Sequence, residues 1–170
     1  MIHATAHLFL LRFRGVGSSN PKIMNANPKI AFIRACSTGD AETVKRLLEG
    51  GLDPETRDHY HLTGLIWAGR KGRVEVAKVL LARDADIDAT DVRGRTALFH
   101  AVTYKRYEFV EQLAVAGANV SPIDMHGWTP LDFAITNNNV KMIALLQRLG
   151  ARCEFKKNWQ PMQSPRAARK

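Results

Sequence analysis

The chain has 170 residues, 45% of them hydrophobic and 24% charged, a composition typical of a folded globular domain rather than a disordered or collagen-like one. No apolar run approaches the roughly 18–20 residues that a transmembrane helix needs. The net charge is +9, but residues 30–150 contain 15 basic and 15 acidic residues, so the surplus lies in the two ends. A neutral body with basic ends weakens the case for a basic domain that binds nucleic acid or membranes.

The first part of the chain is basic, with five Lys or Arg and no acidic residue in residues 1–39. Its apolar stretch, Leu8–Leu11, is too short for a secretory signal and precedes the arginines, whereas residues 1–23 weakly resemble a mitochondrial transit peptide. We expect residues 1–27 to be a flexible or targeting extension, or Met24 to be the true start. Two cysteines in a chain of this length do not form a disulfide framework. A cytoplasmic location is expected, with an organelle as the alternative.

An internal period of 33 residues organises the middle of the chain. Identical or similar residues recur at this spacing over about 120 residues, too regularly for chance. The clearest columns are Ala35, Ala68, Ala101 and Ala134; Leu47, Leu80, Leu113 and Leu146; Asp58, Asp91 and Asp124; and Thr63, Thr96 and Thr129.

Within one period the residues predict two short helices joined by turns, as the second unit illustrates. Thr63 can cap a first helix, and Gly72 ends it. Apolar residues at helical spacing from Val74 to Leu81 predict a second helix. Asp84 then lies at a chain reversal where the other units have Gly, so we expect a left-handed backbone there.

The segments at residues 63–68, 96–101 and 129–134 resemble the T-P-L-H-x-A signature of ankyrin repeats. The resemblance implies an all-α solenoid of stacked helix–turn–helix units with projecting β-hairpin turns. We expect the first and last units to be cap-like, because the first lacks the Thr motif and the last carries Gln147 in an otherwise apolar column. The implied domain, residues 28–153, is followed by a basic tail at 154–170, and its repeats are approximately residues 28–57, 58–90, 91–123 and 124–153.

Two departures from the signature predict weak points. Its His, which in the family joins the hairpin to the helix, is replaced by Ile66, Phe99 and Asp132, so hairpin rigidity is in doubt. His61 also stands where the next two units have Gly, and a non-Gly residue in a left-handed turn costs about 1 kcal/mol. We therefore expect the second repeat to be the least stable.

No catalytic, metal or cofactor site is predicted. The glycines around Gly15 lack the third Gly and the context of a phosphate-binding loop. His59 and His61 could face one ion, but zinc needs at least three protein ligands, and His126 lies two periods away. We expect His100 to be a packed core residue rather than a base, and we expect the chain to be no enzyme.

In ankyrin proteins, partners dock on the concave face formed by hairpin tips and first helices. Its aromatic and arginine residues are types that dominate binding hot spots, and its basic cluster favours an acidic partner segment. We therefore expect a monomeric adaptor, scaffold or inhibitor, with a nucleic-acid-associated protein using its basic tails as the alternative. We also expect Phe155 and Trp159 to dock on the last repeat. Carried over by register, the partner-binding positions are Tyr60, Leu62, Arg70, Lys71, Arg93, Arg95, Tyr104, Met125, His126 and Trp128.

Overall fold

The computed structural model describes residues 27–153, which form four helix pairs stacked side by side. Each first helix packs on its own second helix and on the first helix of the next pair, so the predicted all-α solenoid is confirmed. In this part of the chain the only β-pairing is an isolated bridge between Arg57 and Thr63, so the tips are tight turns rather than stranded hairpins. The helices are α1 (Pro28–Thr38), α2 (Ala41–Glu49), α3 (Gly64–Lys71), α4 (Val74–Leu81), α5 (Ala97–Thr103), α6 (Tyr107–Val115), α7 (Pro130–Thr136) and α8 (Val140–Arg148).

Some predictions fall outside the described residues. The N-terminal extension, apart from its last residue, and the basic tail with Phe155 and Trp159 are among them. Within residues 27–153, none of the helices is both long enough and apolar enough to traverse a lipid bilayer.

The repeated threonines begin the first helices of the last three repeats, as predicted. The hydroxyls of Thr63, Thr96 and Thr129 each accept a hydrogen bond from the backbone N–H three residues later, at 3.2–3.3 Å. Such a cap satisfies one of the N–H groups that the first helical turn leaves unpaired. Because the caps recur every 33 residues, each of the three helices begins at the equivalent position of its repeat.

Small residues let the first helices approach closely. Every member of the alanine column is at most 4% exposed, which confirms its predicted place in the core. Gly69 on α3 lies closer still to the next repeat, since a Cβ atom there would sit 2.6 Å from the carbonyl oxygen of Ala97. A clash with backbone cannot be relieved by a rotamer change, so these positions restrict the contact to small side chains.

The aspartate column closes the three described turn tips. One oxygen, Oδ1, of Asp58, Asp91 and Asp124 accepts backbone N–H groups from the residues two and four places later, at 2.8–3.0 Å. The backbone N–H of each aspartate also donates to the carbonyl four residues on. Each tip is therefore a small, self-contained hydrogen-bonded unit.

The expected loss of the link between tip and helix does not occur in the second and third repeats. Trp67 and His100 lie one residue after the missing signature His, and they take over its role. Trp67 Nε1 donates to Asp58 Oδ2 at 2.8 Å, and His100 Nε2 lies 2.8 Å from Asp91 Oδ2. The doubt about hairpin rigidity was wrong for these repeats, because a neighbouring side chain reaches the same carboxylate.

Left-handed backbone occurs where the sequence predicts it, and also at Lys105 and Asn138, which stand in the place of Gly72 in the next two repeats. Gly51, Gly117 and Gly150 have φ values of 80–93°, and Asp84 in the same column has φ 58°. His61 has φ 60°, whereas Gly94 and Gly127 occupy its position in the next two tips. His61 and Asp84 both belong to the second repeat, which thus carries two strained non-Gly residues.

Replacing His61 with Gly is expected to raise the free energy of unfolding by about 1 kcal/mol, because Gly adopts a positive φ without steric cost. The matched control is His59→Gly, two residues earlier at the same tip, which should leave stability unchanged or lower it. Thermal and urea unfolding measure both variants. A lower melting temperature for His61→Gly would contradict the strain argument.

His100 is a largely buried histidine, its side chain 12% exposed. Burial lowers its pKa below the ordinary value of 6.5, and the nearby charges of Arg70 and Arg95 act in the same direction. The carboxylate of Asp91 opposes this shift without cancelling it. His100 therefore joins tip to helix as a neutral ring, in agreement with the expected packed core role.

This lowered pKa makes stability depend on pH. The unfolded chain takes up the proton more readily than the folded one, so the His100 contribution is complete above about pH 6.5 and is lost as pH falls through the folded-state pKa. In urea unfolding from about pH 7.5 to 5.5, His100→Gln should lose less stability than the wild type. The exposed residue His126, changed to Gln, serves as the control. Equal slopes for wild type and His100→Gln would refute a buried, neutral His100.

Candidate partner-binding groove

The tips and first helices of the second and third repeats enclose a groove of about 660 Å³ on the concave side of the stack. Its wall is formed mainly by aromatic and basic side chains. The lining residues are His59, Tyr60, His61, Leu62, Trp67, Arg70, Asp91, Val92, Arg93, Arg95, His100, Thr103 and Tyr104.

Arg70 is held between two aromatic rings in this groove. Its guanidinium carbon lies 4.7 Å from the centre of the Trp67 ring and 5.2 Å from that of Tyr104. Its Nη2 atom also donates to the Tyr104 hydroxyl oxygen at 2.9 Å. Stacking and the hydrogen bond together fix the position of a cation that would otherwise sample many rotamers.

Arg95 has a different role from the one predicted. Its Nε and Nη2 atoms donate to Asp124 Oδ2 at 3.0 and 2.9 Å, and its side chain is only 18% exposed. Its guanidinium also lies over the rings of Phe99 and Phe133. Because Asp124 balances its charge, Arg95 lines the groove without adding a free positive charge to it.

Hydrogen bonds hold the pKa of Asp124 below its usual value. Burial alone would raise that pKa, but hydrogen bonds from the Trp128 N–H, the Arg95 guanidinium and the His126 N–H outweigh it. Arg95 therefore joins the tip of the fourth repeat to the third repeat. In the second and third repeats, Trp67 and His100 instead join the tip to the first helix of the same repeat. Phe133 occupies the corresponding position of α7 and has no polar atom to offer.

Leu62 lines the groove from below. Its side chain is 5% exposed and belongs to the hydrophobic core, so it forms the floor of the groove rather than its exposed surface. Leu62 directly follows the second tip, and its side chain packs into the hydrophobic core. Tyr60, by contrast, is 62% exposed at the rim.

The other predicted residues divide between the groove and its surroundings. Arg70, Arg93, Tyr60 and Tyr104 are brought together as lining residues. Lys71 is exposed but is not part of the lining. The remaining three predicted residues lie at the fourth tip. Met125 and His126 are exposed there, and Trp128 is half-buried.

The third and fourth tips are connected through backbone. The Met125 N–H donates to the Arg93 carbonyl at 2.9 Å. This bond, together with the Arg95–Asp124 ion pair, places the fourth-tip residues beside the groove as one continuous edge.

Trp67 is a groove residue that is absent from the positions predicted to bind a partner. It supplies both the link to Asp58 and one face of the Arg70 site. The signal in the sequence was the aromatic series of Trp67, His100 and Phe133 at 33-residue spacing, directly after the signature position. That signal indicates a recurring contact but does not reveal which neighbour the ring meets.

The two aspartates near the groove are already engaged in the fold. Asp58 and Asp91 each accept hydrogen bonds through both carboxylate oxygens, one of them from a ring nitrogen of Trp67 or His100.

Elsewhere in the fold, burial raises the pKa of the Cys36 thiol to about 12, so it is an unreactive packing residue. Across residues 27–153, no group of three or more His, Cys, Asp or Glu could hold a metal ion.

A comparison with protein-family models finds ankyrin repeats, in a model of three copies, at residues 3–91 and 84–157. No curated protein matches the chain in a sequence search. Ankyrin repeats are generally protein–protein interaction modules, typically without enzymatic activity. The family match covers most of the sequence and agrees with the four helix pairs, their threonine caps and the 33-residue spacing. The chain belongs to the ankyrin-repeat family.

Proposed function

We propose that the chain is a non-enzymatic adaptor, scaffold or inhibitor that binds a partner protein on its concave face. The observation that carries this proposal is the 660 Å³ groove between the second and third tips, lined by tyrosine, tryptophan and arginine. These residue types dominate the energetics of protein interfaces, because each combines a large apolar area with a polar group.

Exposed apolar side chains along the tips extend this surface beyond the groove. Tyr60, Val92 and Met125 are 62–67% exposed on three successive tips. They lie on tips that are closed by internal hydrogen bonds and joined to the helices or to one another. Because the tips are already ordered, they lose little conformational freedom when a partner binds. A rigid surface of this kind favours affinity because less entropy opposes association.

A non-enzymatic role is supported by the use of the titratable groups near the groove. A general base needs a free lone pair and access to substrate. The carboxylates of Asp58 and Asp91 are instead each engaged through both oxygens by hydrogen bonds within their own repeats. The alternative, nucleic-acid binding through basic tails, depends on residues outside the described range and remains a sequence-based prediction.

The double variant Tyr60→Ala, Trp128→Ala tests the proposed face. Loss of two aromatic contacts should weaken partner binding at least tenfold, since hot-spot residues contribute about 2 kcal/mol or more each. Affinity capture from cell extract with quantitative mass spectrometry measures retention, and circular dichroism checks that the variant is folded.

The matched control is Val115→Ala, an 83% exposed apolar residue on the second-helix side. It should retain the same proteins as the wild type. If the double variant retains them equally well, or if Val115→Ala loses them, the interface lies elsewhere.

A further inference from the structure

We propose that the groove between the second and third repeats is a receptor for an Asp or Glu side chain of the partner, bound by Arg70, the Tyr104 hydroxyl and Arg93. This inference rests on the proposed concave-face function and specifies the chemistry of its ligand. It follows from the balance of hydrogen-bond donors and acceptors within the groove.

The donors of the groove are incompletely used. Within residues 27–153, neither Arg70 nor Arg93 forms an ion pair with a carboxylate, unlike Arg95 beside them. Arg70 spends one N–H on the Tyr104 hydroxyl oxygen, so its other N–H groups are available. Tyr104 accepts that bond, and its own hydroxyl hydrogen is therefore left to donate.

The one carboxylate that lines the groove, in contrast, is occupied. Both oxygens of Asp91 are bonded, Oδ1 to the N–H groups of Arg93 and Arg95 and Oδ2 to His100. These bonds outweigh burial and keep the pKa of Asp91 below its usual value, so it stays ionised within the fold. A ligand that supplies acceptors and negative charge therefore fits this groove, whereas a cationic or donor-rich ligand finds few free partners.

Arg70 is prepared for such a ligand. Its guanidinium plane is fixed by Trp67 and Tyr104 at 4.7 and 5.2 Å, so binding does not have to order a long flexible side chain. Arginine suits a planar carboxylate because its N–H groups can form two parallel bonds with it.

Apolar side chains flank the opening. Tyr60 and Val92, 62% and 67% exposed, project from the two tips on either side. We expect the acidic residue to be accompanied by a hydrophobic neighbour that covers them. The fitting partner is thus an acidic protein segment with at least one apolar residue beside the carboxylate.

The charge distribution favours a protein carboxylate over a nucleic acid. A phosphate backbone is bound by a row of basic residues that track it. Residues 30–150 carry equal numbers of basic and acidic residues, and among the residues that line the groove the arginines without an ion pair are Arg70 and Arg93. That is sufficient for one or two carboxylates but not for a continuous phosphate track.

Selection from a random-peptide phage library on the full chain tests this specificity even while the natural partner is unidentified. Enriched peptides should contain Asp or Glu beside an apolar residue. Fluorescence anisotropy with the best peptide then gives affinities for wild type, Arg70→Gln, Tyr104→Phe and the control Arg83→Gln. Arg83 pairs with Glu49 at 3.0 Å outside the groove.

Arg70→Gln should weaken binding about tenfold or more, because the arginine supplies the positive charge and more than one hydrogen bond to the carboxylate. Tyr104→Phe should weaken it by a smaller factor, because it removes a single neutral donor. Arg83→Gln should bind like the wild type. Melting temperatures close to the wild-type value would show that the losses arise from the groove and not from unfolding.

Three results would overturn the carboxylate receptor: no enriched peptide, enriched peptides without Asp or Glu, or undiminished binding by Arg70→Gln. Displacement of the peptide from the groove by a single-stranded oligonucleotide of higher affinity would also overturn it. Non-acidic peptides that still depend on Tyr60 and Trp128 would refute the carboxylate specificity while leaving the concave-face function intact. Peptides unaffected by every concave-face substitution would refute both.

Discussion

The close approach of consecutive first helices is the constraint on which the rest of the structure depends. Alanine at the four column positions and glycine at position 69 let these helices pack backbone to backbone. No single helix pair can bury its apolar face alone, so this contact supplies the core of the solenoid. It also sets the spacing between tips, and thereby the width of the groove between them.

Side chains at the tips serve the fold and the surface at once. Each turn aspartate organises its tip with one oxygen and reaches a side chain with the other, but the donor differs: Trp67, His100 or Arg95. An arginine that donates to a turn aspartate is ion-paired, whereas an arginine that does not can bind a ligand. Arg95 is consumed by Asp124, whereas Arg70 remains available in the groove, stacked between aromatic rings. Binding chemistry here therefore follows from how the solenoid satisfies its own carboxylates.

The sequence was sufficient to predict the repeat, the helix pairs, the threonine caps and the left-handed backbone at His61 and Asp84, because these depend on local chemistry that recurs every 33 residues. It did not predict the left-handed backbone of Lys105 and Asn138. It was less informative about the groove. The pairing of Arg95 with Asp124 joins residues 29 positions apart on different repeats, and no periodic pattern specifies it. The burial of Leu62 and the double role of Trp67 likewise depend on neighbours brought together only by stacking.

Urea unfolding of Gly69→Ala tests the helix-contact constraint most directly. By helix propensity alone, alanine within α3 should raise the free energy of unfolding by about 1 kcal/mol. The clash with the Ala97 carbonyl predicts the opposite, a loss of about 1–3 kcal/mol. Gly50→Ala, at a helix end with an ordinary φ of −72°, is the control and should cause no such loss. A Gly69→Ala protein as stable as the wild type, or more stable, would contradict the account.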